Sequence, residues 1–320
     1  MIYYGKNRIE LFSYEATDKA RNDTEKILGS LGFEPLFLSS FQSVPKMKAQ
    51  NELKNIKKDD IIFIQFPTYC GEEYEMELLK IIKEKGARSA GIIHDLESIR
   101  FYNNDSDIKV LNMFDCISLP SPDIHKKLIK QGLKTKVEIQ FIWDYLAGDN
   151  QKWFDKNADI VFAGNLSTAK SSWLLDVKFP LTVYGDNFNN MNFPKNIKYL
   201  GKKEDNFLPG IIGGHVGLLW EENDYKKYLK YNLSFKASLY LASNCPLIVP
   251  AKTHIGNIVE RYNLGVTVKN IEYDEILKAI IELKNNQKLY QEKISEFGKE
   301  IREGKNMKNL ARRMVLQIEI

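Results

Sequence analysis

Cysteine, histidine and long apolar runs are scarce in this sequence, and each shortage removes a class of function. Three cysteines, Cys70, Cys116 and Cys245, stand far apart among 320 residues. An odd count with no C-x-x-C pair is a poor disulfide framework and suits a reducing cytoplasm. The four histidines, His94, His125, His215 and His254, form no H-E-x-x-H or similar zinc spacing, so neither a metal nor a cofactor is expected. No stretch of about 18 apolar residues occurs, so no transmembrane helix is expected. Met1 to Ser13 carries Lys6, Arg8 and Glu10 and lacks the apolar core of a signal peptide. The G-x-x-x-x-G-K-[ST] loop of P-loop ATPases is absent. So are a G-x-G-x-x-G after the first strand and a G-x-S-x-G elbow. Charge of one sign is scarce too: 46 Lys and Arg face 42 Asp and Glu, a net +4. That excess is too small to predict nucleic-acid binding. It tolerates an anionic ligand or anionic lipid, which leaves peripheral contact with a membrane from its cytoplasmic side open.

What is present reads as α/β. The length suits two domains of roughly 150 residues each. Apolar runs at Glu34 to Ser39, Ile61 to Phe66, Ser89 to Ile93 and Cys116 to Leu119 alternate with helical patterns. The helices are expected near Asp18 to Leu31, Glu72 to Lys85 and Asp123 to Gln131. Strands separated by helices of this length indicate βαβ units and a parallel sheet. The runs lack strict alternation, as expected of strands covered on both faces. The polar stretch Asp144 to Asn157 breaks the rhythm and is read as the domain boundary. Strands then resume at Ile160 to Ala163, Leu181 to Tyr184, Ile197 to Leu200, Val216 to Leu219, Leu247 to Val249 and Gly265 to Val268. Helices fit Phe235 to Ala242, Ile255 to Tyr262, Tyr273 to Asn285, Gln287 to Arg302 and Met307 to Ile318. The expected division is 1–150, 151–304 and a final helix, 305–320, returning to the N-terminal domain. Two such domains are expected to leave a ligand cleft at their strand ends.

Five clusters carry candidate chemistry, each with a plainer reading beside it. Gly164, Asn165 and Ser167 follow the strand IVFA, with Lys170 near a helix start where free N–H groups attract phosphate. The same segment also reads as an ordinary strand-to-helix loop. Asn232 and Ser234 are candidate N-caps for the helix that carries Lys236 in its first turn. A lysine there opposes the helix dipole, a misfit that a bound anion would remove; otherwise Lys236 is a solvated surface lysine. Upstream, Tyr225, Tyr228 and Tyr231 interleave with lysines, a sugar or nucleic-acid surface or simply a charged loop. His94 and Asp95 end a strand, where they either move a proton at a substrate hydroxyl or serve as a core histidine and a helix cap. Tyr184 opens a turn, Tyr184-Gly185-Asp186, that reads as ligand-facing or plain. Asn257 and Glu260 lie near a helix start, where an acid would hold ribose hydroxyls.

These residues carry a resemblance. GNLS after IVFA, then YGDN, YLG, LPG, GLLW and YLKYN-x-x-x-K-x-SLYL resemble the bacterial galactofuranosyltransferases of O-antigen and capsule assembly. The N-terminal segments Lys19-Ala20-Arg21-Asn22-Asp23, IIFIQFP and IHDLESIR resemble the same family in the same order. The related glucosyltransferases that extend glycans on serine-rich adhesins share the layout. The resemblance implies a GT-B fold, two facing Rossmann-like domains with parallel sheets, and a UDP-sugar donor held by the C-terminal one. Lys236 matches the family's donor-phosphate lysine and Gly164-Asn165 a donor-side loop. Lys170 stands where the adhesin enzymes carry an arginine, and Asn257 where they carry a ribose-binding glutamate. That last departure leans toward galactofuranose over glucose.

The expected reaction is attack of an acceptor hydroxyl on the anomeric carbon with UDP leaving. The acceptor is a lipid-linked oligosaccharide or a glycoprotein glycan. If the reaction inverts, Asp95 is the candidate base with His94 in reserve; if it retains, Asp95 only orients the acceptor. Self-association stays open. A non-catalytic sugar-binding subunit is the reading from another class, and the donor-site set argues against it.

Overall fold

The computed structural model describes residues 1–7, 16–40, 44–96, 99, 106–149, 152–155, 157–187 and 189–320. The chain divides into two compact units. The first comprises Met1–Phe12, Arg21–Phe141 and Asn306–Ile320; the second comprises Ser13–Ala20 and Ile142–Lys305. The change of unit at Phe141 and Ile142 lies ahead of the expected boundary at 150.

Within the first unit, six parallel strands stand in the order β2-β1-β3-β4-β5-β6. They are β1 (Ile2–Asn7), β2 (Glu34–Leu38), β3 (Ile61–Phe66), β4 (Arg88–Ile93), β5 (Cys116–Leu119) and β6 (Lys136–Ile139). All six residues of β3 and all four of β5 are buried, which is why these runs do not alternate. Helices α1 (Ala16–Ser30), α2 (Lys48–Glu52), α3 (Glu72–Glu84), α4 (Ser106–Leu111) and α5 (Pro122–Lys130) connect them. Local chemistry sets their ends. Ser121 Oγ accepts from Ile124 N at 3.2 Å and Pro122 opens α5. Glu72, Glu73 and Glu75 crowd the first turn of α3, where the dipole favours them, and Lys83 lies in its last turn.

Within the second unit, the strand order is β12-β11-β10-β7-β8-β9, again all parallel. The strands are β7 (Ile160–Ala163), β8 (Leu181–Tyr184), β9 (Ile197–Tyr199), β10 (Val216–Leu218), β11 (Leu247–Pro250) and β12 (Gly265–Val268). Its helices are α6 (Thr168–Ser171, followed by a 3-10 turn, Ser172–Asp176), α7 (Leu208–Ile212), α8 (Asn223–Leu229), α9 (Phe235–Ala242), α10 (His254–Tyr262), α11 (Tyr273–Asn285) and α12 (Gln287–Arg302). The last helix, α13 (Lys305–Glu319), belongs from Asn306 onward to the first unit. There Arg313 donates to Glu138 Oε2 and to the Ile139 carbonyl of β6, at 2.8 and 3.0 Å. Its buried Met307, Leu310, Ala311 and Met314 recur at helical spacing. Each unit is thus a Rossmann-like domain, and the architecture is GT-B. No helix among the described residues is long and apolar enough to cross a membrane.

Several elements depart from the sequence reading, the short helices α2, α4 and α7 among them. The strands β1 and β6 were not expected, and Tyr225 and Tyr228 belong to α8 rather than to a loop. Tyr228 and Leu229 are buried, so the interleaved lysines mask an amphipathic turn.

The strand order of the second unit reverses between β7 and β10, which pair only through Val216 with Ile160 and Gly217 with Val161. Beyond these pairs the Tyr240 hydroxyl of α9 bridges the two strands. It accepts from Ala163 N at 2.9 Å and donates to Leu218 O at 3.1 Å. Gly217 makes room for it, since a Cβ there would overlap the Tyr240 ring. Replacing Tyr240 with Phe keeps the ring but strands a buried N–H and a buried carbonyl. Tyr240→Phe is expected to lose about 1–3 kcal/mol of stability in urea titrations. A cost below measurement error would show that the bridge contributes nothing.

Candidate functional site

A cavity of about 250 Å³ opens in the second unit, at the C-terminal ends of β7, β8, β9 and β10. That is where open α/β sheets receive ligands, outside the strand ends at the switch point. Ala163 and Gly164 of the β7 end, Tyr184, Gly185 and Asp186 of the β8 end, and Phe235, Lys236 and Leu239 of α9 line it. Four lysines, Lys170, Lys202, Lys203 and Lys236, face it against three carboxylates, Asp186, Asp205 and Glu221. The balance suits an anionic ligand.

Lys236 is held at the floor. Its Nζ donates to Glu221 Oε1 at 2.9 Å and lies 4.9 Å from the Phe162 ring centroid. Its stem crosses Gly164, where an added Cβ would sit 3.3 Å from Lys236 Cε. Glycine at 164 therefore lets the lysine lie flat against the turn. The expected clash of Lys236 with the helix dipole is real but is already compensated within the chain, by Glu221. Tyr145 forms another wall; it stacks on Phe235 at 5.1 Å and donates to the Asp205 carbonyl at 3.0 Å. Lys19 donates to the Leu146 carbonyl at 2.9 Å and lies 4.5 Å from the Tyr145 ring. Lys170 lies 5.1 Å from the Tyr225 ring at the cavity edge.

Five of the ten donor-side candidates line this cavity: Gly164, Asn165, Lys170, Tyr184 and Lys236. Ser167, Asn232, Ser234, Asn257 and Glu260 do not. Ser167 stands at the N-cap position of α6, but that helix has four residues, and its leading N–H groups are already used. Ser167 N donates to Asn165 Oδ1 at 2.8 Å and Thr168 N to Asn189 Oδ1 at 3.0 Å. Of the N–H groups near Lys170, those of Ser167, Thr168, Lys170 and Ser171 are therefore engaged. Ser234 holds the N-cap position of α9 without a side-chain capping bond, and Asn232 Oδ1 accepts from Leu233 N at 2.8 Å. Glu260 lies in the last turn of α10, not near its start, and accepts from Thr267 Oγ1. Asn257 is exposed on the same helix. Glu221, Lys202, Lys203 and Asp205 were missed. The signal for the first three was their place just after apolar strand runs, at Trp220-Glu221 and Gly201-Lys202-Lys203. The sequence also holds one D-x-D triplet, Asp105-Ser106-Asp107, so the expectation of a metal-free site gains nothing from that motif. Asp105 lies outside the described residues.

His94 and Asp95 close β4 in the first unit. His94 is buried, and its Nε2 lies 2.8 Å from Gln65 Oε1. Burial first, then the nearby Arg21 charge, hold its pKa well below the usual 6.5. The ring is therefore neutral, tied into the core, and its reserve role as a base has no support from this geometry. Asp95 is partly exposed; of the segment it was expected to cap, 95–101, residues 97–98 and 100–101 lie outside the described residues. Because the folded pKa is depressed, His94 stabilises the fold fully above about pH 6.5 and loses that contribution as pH falls below it. The loss approaches about 1.4 kcal/mol per pH unit at most. In urea titrations between pH 7 and pH 5, wild type is expected to lose stability more steeply than His94→Asn as pH falls, by up to this slope. Parallel pH dependences would return His94 to an ordinary, solvated titration.

Comparison with known proteins follows the same division. Two family models match, described as "Glucosyltransferase 3-like, N-terminal domain" over residues 3–142 and "Glucosyltransferase 3-like, C-terminal domain" over 160–314. Glucosyltransferase 3 of Streptococcus gordonii is 26% identical over 303 residues, spanning 89% of this chain and 90% of the relative. The beta-1,6-galactofuranosyltransferase WbbI of Escherichia coli K12 is 25% identical, spanning 91% and 94%. In fold, HepE of Anabaena, solved in complex with UDP, superposes with a TM-score of 0.63 at 11% identity over 99% of each chain. With both domain models matched in order, the chain belongs to the glucosyltransferase 3-like family of GT-B glycosyltransferases.

Proposed function

We propose that this enzyme moves a hexosyl group from a UDP-sugar to a sugar hydroxyl of a growing cell-surface glycan. The favoured donor is UDP-galactofuranose, with a lipid-linked O-antigen or capsule oligosaccharide as acceptor. One observation carries the donor half: Lys236 laid across Gly164 in a lysine-rich cavity at the diverging ends of β7 and β10. A diphosphate is the part of such a donor that this charge balance suits. The UDP found with HepE and the activity named for the Escherichia coli relative support the reading. A second reading, UDP-glucose with a glycoprotein glycan as acceptor, is favoured by the family models and the streptococcal relative. Asn257 stands at the position where the resemblance expects a ribose-binding glutamate, and it is the residue that leans toward galactofuranose.

In the proposed reaction the acceptor oxygen attacks the anomeric carbon. The bond from that carbon to the diphosphate oxygen breaks, and UDP leaves with the added negative charge. A cation fixed before the reaction offsets that charge without reorganising, which is where electrostatic catalysis is strongest. Lys236 has that role, with Lys170, Lys202 and Lys203 around it. If the sugar inverts, Asp95 accepts the hydroxyl proton; if it is retained, Asp95 orients the hydroxyl. A donor screen that measures UDP release, followed by linkage analysis of the product, decides between galactofuranose and glucose. Release from neither donor would reject both readings.

Two substitutions test the assignments. Lys236→Ala is expected to weaken UDP binding by about 1.5–3 kcal/mol in calorimetry, the scale of a hydrogen bond to a charged group. Unchanged affinity in a folded variant removes Lys236 from the site. If Asp95 is the base of an inverting reaction, Asp95→Asn is expected to lower turnover by about 10²–10⁴-fold while UDP affinity holds, because a positioned base contributes on that order. Near-normal turnover leaves Asp95 as a structural residue.

A further inference from the structure

Glu221 follows Trp220 at the C-terminal end of β10, and its carboxylate faces the cavity. The pair it makes with Lys236 is largely enclosed, with side chains 15% and 19% exposed. A carboxylate offers acceptors alone, and here one oxygen rests on the lysine that would take the donor's phosphate. A diphosphate arriving at Lys236 competes with Glu221 for the same ammonium and repels it. The carboxylate, left in a confined space, needs new donors. The hydroxyls of the hexose are donors that enter with that diphosphate, carried on the ring bonded to it.

We propose that Glu221 is a specificity residue that exchanges partners. It holds Lys236 in the empty cavity and, when the donor enters, releases the ammonium to the diphosphate and accepts hydrogen bonds from hexose hydroxyls. The inference rests on the UDP-sugar reading above and adds to it the group that recognises the sugar. A bare nucleoside diphosphate displaces Glu221 without repaying it; a nucleotide hexose does both. The exchange makes and breaks hydrogen bonds only, and no covalent step is involved.

The test is calorimetry of the full chain with UDP, UDP-glucose and UDP-galactofuranose, in wild type and Glu221→Gln. The quantity that decides is the affinity for the preferred UDP-hexose divided by that for UDP. In Glu221→Gln this ratio is expected to fall more than about fivefold, within the range of a lost hydrogen bond to a charged group. UDP itself is expected to bind at least as tightly, because the competing carboxylate is gone. A smaller fall in the ratio overturns the inference, whatever happens to UDP, and leaves Glu221 as a tether for Lys236. If Glu221→Gln does not fold, Glu221→Asp serves. It keeps the charge but draws it back from the sugar, and the same fall in the ratio is expected. Wild type that binds none of the three ligands rejects the donor reading itself, an outcome separate from an unchanged ratio.

Discussion

The geometry of the cavity depends on one phenol. Where β7 and β10 diverge, each loses a backbone partner, and a buried N–H or carbonyl without one is costly. The Tyr240 hydroxyl meets both needs at once, accepting from Ala163 and donating to Leu218. It must be protonated to do so, and burial pushes its pKa up, away from ionisation. The strands can therefore part without a penalty at the gap. Tyr240 also fixes the roll of α9. Lys236 lies four residues earlier, on the same helix face, so pinning the ring over Gly217 aims the lysine at Gly164. The bridge that permits the crevice also places the cation at its floor.

The electrostatics follow from that placement. A lysine in the first turn of a helix works against the dipole by a few tenths to about 1 kcal/mol when exposed. Glu221 offsets this from the neighbouring strand end, and the Phe162 ring supplies a second favourable contact. The short helix after Gly164 contributes less than a phosphate-binding helix would. Its leading N–H groups are spent on Asn165 and Asn189. On this side of the cavity the attraction for an anion therefore rests on the side-chain ammonium groups more than on the α6 terminus.

How much of this could be read in advance varies by element, for physical reasons. Runs such as Ile61–Phe66 and Ile160–Ala163 were legible because strands buried on both faces must be apolar throughout. The helix Phe235–Ala242 was legible from its apolar periodicity, and Gly164 and Lys236 from their places at a strand end and a helix start. The strand Ile2–Asn7 was not, because Gly5, Lys6 and Asn7 interrupt its apolar signal although it pairs on both sides. Lys136–Ile139 reads as a polar edge because its cover comes from α13, far along the chain. Glu260 was misplaced although its helix was legible, since the expected span, Ile255 to Tyr262, already sets this acid in the last turn. Glu221 carried only the weak signal of an acid just after a strand run, which gains meaning once its lysine partner is known.

The side chains at the two switch points use a cation differently. The first sheet also changes direction, between β1 and β3, so topology alone would give it a crevice as well. At the end of β3 the chain supplies its own cation. Arg21 is 1% exposed, and its guanidinium donates to the carbonyls of Gln65 and Pro67 at 3.3 and 2.6 Å. Gln65 in turn holds His94, whose ring stays neutral beside that charge. A buried guanidinium fixed to backbone carbonyls is not placed to turn toward a ligand, whereas an ammonium paired with one movable carboxylate is. At the switch point of the second unit, Gly164 at the β7 end lies under Lys236, whose partner Glu221 stands on the β10 end and can be displaced. Similar topology thus carries a buried, carbonyl-bound guanidinium in one domain and an exchangeable ion pair in the other, and the side chains at the switch point make the difference.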